Sequence, residues 1–73
     1  MSAEMFRNNL ESARAHLAEA RANRNEAVGK LANAHHTVRA STLAVFDEQI
    51  QTWEDAVDNF KWMLQHKYGE VVD

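Results

Sequence analysis

The stretch NAHHTVRAST, residues 33–42, places the adjacent pair His35-His36 shortly before the hydroxyl pair Ser41-Thr42. Two chemistries use those residue types. Imidazoles ligate divalent metals, and a histidine beside a serine or threonine is the base–nucleophile pair of acyl transfer. Helical geometry argues against both. Ligands on one helix must stand three or four positions apart to point the same way, whereas His35 and His36 diverge by about 100°. Neither has a His, Asp or Glu at that spacing. His16 with Glu19 and His66 with Glu70 do meet it, but one pair of ligands is not a site. The hydroxyls are better explained as helix caps. The chain has no cysteine, which removes thiolate ligands, thiol nucleophiles and disulfides together. No Gly-rich phosphate loop or nucleophile elbow is present. The expectation is a non-enzyme with no catalytic residues, no cofactor and no metal.

The elements that must position these residues are helical. Proline is absent and glycine occurs only at Gly29 and Gly69. Phe6, Leu10, Ala13, Leu17, Ala20, Ala27, Leu31, Ala34 and Val38 follow a 4-3 spacing, with Arg24 in the one missing slot. Leu43, Phe46, Ile50, Trp53, Val57, Phe60, Leu64 and Val71 form a second such series, with Lys67 in its gap. Heptad seams of this kind mark helices packed along their length. The two seams are out of phase, and the slip falls within Arg39-Ala40-Ser41-Thr42. The expected architecture is therefore all-α: a long antiparallel helical hairpin, a two-helix coiled coil forming a single domain over 1–73. Its helices would run over about 3–39 and 43–68, joined by a turn at about 40–43 and followed by a short C-terminal tail. Ser41 or Thr42 would cap the second helix, and Gly69 would end it in the left-handed conformation. A continuous helix with a stutter, or a further break near residues 23–29, are the competing arrangements.

A reversal at Thr42 pairs Ala20 with Leu64, Ala27 with Val57, Leu31 with Trp53, Ala34 with Ile50 and Val38 with Phe46. Small residues then meet large ones almost throughout. The same register brings Arg24 near Phe60 and Asp58, His35 near Asp47, and His16 near Glu70. It leaves Met5 and Phe6 in an overhang, with Trp62, Met63 and Tyr68 off or beside the main seam. That apolar surplus is expected to form a partner or dimer interface, a homodimeric four-helix bundle being the simplest form. A chain this short is also near the size at which a solitary core becomes marginal.

Charge is unevenly distributed. Net charge is −3, made up of +2 over residues 1–41 and −5 over 42–73. Arg7, Arg14 and Arg21 recur every seven residues as a basic stripe, and Asp47, Glu48, Glu54, Asp55 and Asp58 form an acidic face. The functional expectation is a small protein–protein interaction or regulatory factor acting on a protein partner. Accessory and inhibitor proteins of phages and plasmids are of this kind. The alternatives are a nucleic-acid-binding dimer using the arginine stripe, or an acidic mimic that inhibits a nucleic-acid-binding protein. The sequence shows no signal peptide and no span long enough for a bilayer, so the expected location is cytoplasmic and not a membrane.

Overall fold

The computed structural model describes residues 2–72. Two helices, α1 (Ala3–Lys30) and α2 (His36–Lys67), lie against each other as a hairpin 49 Å long. The all-α, two-helix expectation holds.

The reversal lies elsewhere than expected. The chain turns at residues 31–35 and not at 40–43, so α1 stops nine residues short of residue 39 and α2 begins well before residue 43. Leu31 closes α1 by donating its amide to the Ala27 carbonyl at 2.9 Å. His35 opens α2: its backbone is extended (φ −57°, ψ 142°) and its Nδ1 accepts the Thr37 amide at 3.2 Å. Ser41 and Thr42 cap nothing. They lie inside α2, where the Ser41 hydroxyl donates to the Thr37 carbonyl one turn back, at 2.9 Å. A hydroxyl satisfied this way is compatible with continuous helix. Ser2 caps α1 by accepting the Met5 amide. At the far end the expectation for Gly69 holds: it follows α2 with φ +65°. The next amide, that of Glu70, turns back to the Leu64 carbonyl.

Moving the turn changes the register. Leu64 meets Phe6 and Leu10 instead of Ala20, and Phe60, Met63, Tyr68 and Val72 pack around that cluster. Phe6, expected in an overhang, is buried, with its ring 6.3 Å from Phe60 and 5.7 Å from Tyr68 between centroids. The other expected layers fall with Ala20–Leu64, because all depended on a reversal at Thr42. The seams themselves survive. Phe6, Leu10, Ala13 and Ala20 of α1 and Leu64 of α2 form the buried core, and the remaining seam positions up to Ala34 and from Leu43 to Phe60 are half-buried. The exceptions are Val38 and Val71, 53% and 97% exposed, which lie just after the turn and just beyond the end of α2.

Candidate interaction surface

The hairpin has two unlike sides. On one, charges bridge the helices. Arg21 Nη2 binds Glu54 Oε1 at 3.1 Å, Arg24 Nε binds Asp47 Oδ1 at 2.6 Å, and Arg7 binds Glu70. Arg24, the charged occupant of an apolar slot, thus reaches Asp47, not Phe60 and Asp58 as expected. The basic stripe and the acidic face are therefore not fully separate features. Arg7 and Arg21 from the stripe are engaged across the hairpin, the latter with Glu54 of the acidic face. Exposed pairs of this kind each contribute about 0.2–1 kcal/mol. The second oxygen of Glu70, Oε2, is buried without a hydrogen-bond partner among the described residues, so desolvation offsets some of what its pair with Arg7 contributes. Arg14 lines a cleft with Leu10, Leu64 and Glu70 beside that pair. Glu48, Asp55 and Asp58 are exposed, Asp55 accepting a hydrogen bond from Gln51 on its own helix at 2.9 Å.

The histidines are spread along the molecule. His35 and His36 stack on each other at the turn, with ring centroids 4.3 Å apart. Neither meets Asp47, which Arg24 holds. His16 lies against Trp53 at 4.4 Å, and its Nδ1 is 2.9 Å from the Ser12 carbonyl. Since a carbonyl only accepts, that nitrogen carries the proton. Glu70, its expected neighbour, is taken by Arg7. His66 stacks on Trp62 at 4.8 Å. Among the described residues, no three His, Cys, Asp or Glu side chains converge as a metal site would require. Among those residues no helix is long and apolar enough to cross a membrane. The Glu26 carboxyl is held below its ordinary pKa by a hydrogen bond from Lys30 and by that lysine's charge. It is an exposed i,i+4 pair in the last turn of α1.

No known protein family, curated protein or solved structure matches this chain. Its surface must therefore be read from its own chemistry.

On the second side of the hairpin the α2 surface carries no charge, while α1 contributes Glu19, Glu26 and Lys30 towards the turn. Position by position, one residue ahead of the main seam of α2 and so about 100° around that helix, a second 4-3 series runs from Val38 to Met63 without a single charged residue. Each of its members is exposed or half-buried, and none is buried. Gln49 from this series lines one groove with Trp53, His16, Asn23 and Glu19, which places the series on the His16–Trp53 side. On the α1 shoulder of that side, Met5, Asn9, Ser12 and His16 are uncharged, and the same spacing then continues through Glu19, Asn23, Glu26 and Lys30. Of the five residues expected to form an apolar interface, Phe6 is buried and Met63 and Tyr68 pack on the Phe6 cluster, all within the one chain. Met5 and Trp62 are left outside, 50% and 56% exposed, and Val38 and Val45 join them at 53% and 54%. Val38 was missed because a turn at residues 40–43 assigns it to the seam of α1. The available signal was the lack of charge at 4-3 spacing beside the main seam, a pattern typical of a helix that packs against two neighbours.

Proposed function

We propose that this chain is a non-enzymatic interaction factor that binds a protein through the uncharged strip of α2. The observation behind this reading is the division of the surface. The charged side is drawn together by three cross-helix ion pairs. The other side leaves Val38, Val45 and Met5 half-exposed, with no charge along the α2 series. A charge-depleted, partly apolar strip rimmed by polar residues is how protein interfaces differ from ordinary surface. A nucleic-acid reading of the arginine stripe is disfavoured because Arg7 and Arg21 already have carboxylate partners. An acidic-mimic reading is weakened in the same way by the engagement of Asp47 and Glu54.

Photo-crosslinking tests the reading. A photoreactive residue at position 45 should capture a discrete protein adduct, and one at position 58 on the charged side should not. Equal labelling from both positions, or labelling from 58 alone, would contradict it.

A further inference from the structure

The uncharged series on α2 has a property that its spacing alone does not require. In antiparallel pairing with a copy of itself about its midpoint, Val38 falls opposite Met63, Thr42 opposite Asn59, Val45 opposite Ala56, and Gln49 opposite Thr52. Apolar residues meet apolar residues, and hydrogen-bonding side chains meet hydrogen-bonding side chains, in all four layers. We infer that α2 pairs with α2 of a second copy, antiparallel and about a two-fold axis between Gln49 and Thr52, to give a four-helix assembly in which each α1 lies outside.

Two further observations favour a second copy as the occupant. A two-fold interface must be complementary to itself, and an uncharged strip brings no like charges together along its centre. The hairpin also has unmet need, since its buried core among the described residues is confined to Phe6, Leu10, Ala13, Ala20 and Leu64, and small domains commonly complete such a core by association. On the flank away from α1, small Ser41 falls opposite Trp62 of the second copy, which gives that exposed ring a cover. Glu48 and the second copy's Asp55 share the same flank, so the dimer carries a screenable repulsion at its edge.

The inference rests on the reading of this side as an interaction surface, and its test separates the two. The chain has no cysteine, so introduced thiols are unambiguous. Val45→Cys and Ala56→Cys proteins, each checked for helicity by circular dichroism, are mixed and mildly oxidised. The antiparallel register predicts a mixed disulfide dimer containing one chain of each kind. Neither protein alone should crosslink, because position 45 lies about 16 Å along the axis from its own symmetry mate, beyond the ~7 Å reach of a disulfide. Light scattering of the unmodified chain should give twice 8.3 kDa, and Val45→Glu should weaken self-association at least tenfold. A mass of 8.3 kDa, a Val45→Cys homodimer, or a dimer that yields no mixed disulfide each overturns the pairing. If the chain stays monomeric while position 45 crosslinks a different protein, the dimer is wrong and the interaction reading stands.

Discussion

At the scale of single residues, the histidine pair that resembles a site is a structural device. His35 holds the first turn of α2 by accepting the Thr37 amide, a role usually taken by Ser, Thr, Asn or Asp. That substitution of type is why the cap was illegible in the sequence, where Ser41 and Thr42 looked like the start of the helix. His35→Ala should destabilise the hairpin by about 0.5–2 kcal/mol in urea unfolding, and His35→Ser should recover most of that. Equal loss in both variants would show that the imidazole acts by some other contact. The two glycines should respond with opposite signs. Gly29 lies in α1 with open space where a Cβ would stand, so Gly29→Ala should stabilise by about 0.5–1 kcal/mol. Gly69 also has open space but sits at φ +65°, so Gly69→Ala should cost about 1–2 kcal/mol through backbone strain alone. Thermal unfolding of the two variants decides it, and a shift of the same sign in both would refute the assignment.

At the scale of the helices, both seams were legible because burial of one face dictates a 3.5-residue period whatever the partner. The turn was not. By coincidence the α1 phase carries past Lys30 to Ala34 and Val38, so periodicity showed no break where the chain reverses. The phase slip at residues 39–42 reflects the independent phases of two helices, and it appears late because the first turn of α2 adds little to the seam. Gly29, Asn33 and His35 were the local signals, and each is weak alone. The register that results is specific: Phe6 couples to Leu64, whereas a turn at Thr42 would couple Ala20 to it. Leu64→Ala should cost about 2–5 kcal/mol. Its cycle with Phe6→Ala should show an interaction of about 0.5–3 kcal/mol. Strict additivity of those two substitutions would rule the observed register out.

At the scale of the whole molecule, the opposite charges of the two halves, evident in composition, become pairs across the hairpin. Which residues pair depended on the turn and could not be read in advance. Arg24→Glu should destabilise by about 1 kcal/mol by placing like charges at Asp47, and adding Asp47→Arg should restore much of the loss. Denaturant midpoints of the single and double variants measure this, and absence of recovery would mean the pair makes no net contribution. The same division of charge leaves the uncharged strip of α2 free to associate, with Glu48 and Asp55 an acidic repulsion at its rim. Added salt screens that rim while leaving the neutral centre untouched, so self-association should tighten with salt, the reverse of binding to a nucleic-acid backbone. Sedimentation equilibrium of the unmodified chain from low to high salt tests this directly. The expected result is a mass approaching twice 8.3 kDa with a dimer fraction that rises with salt; a mass fixed at 8.3 kDa, or a dimer that dissociates as salt is added, would contradict it.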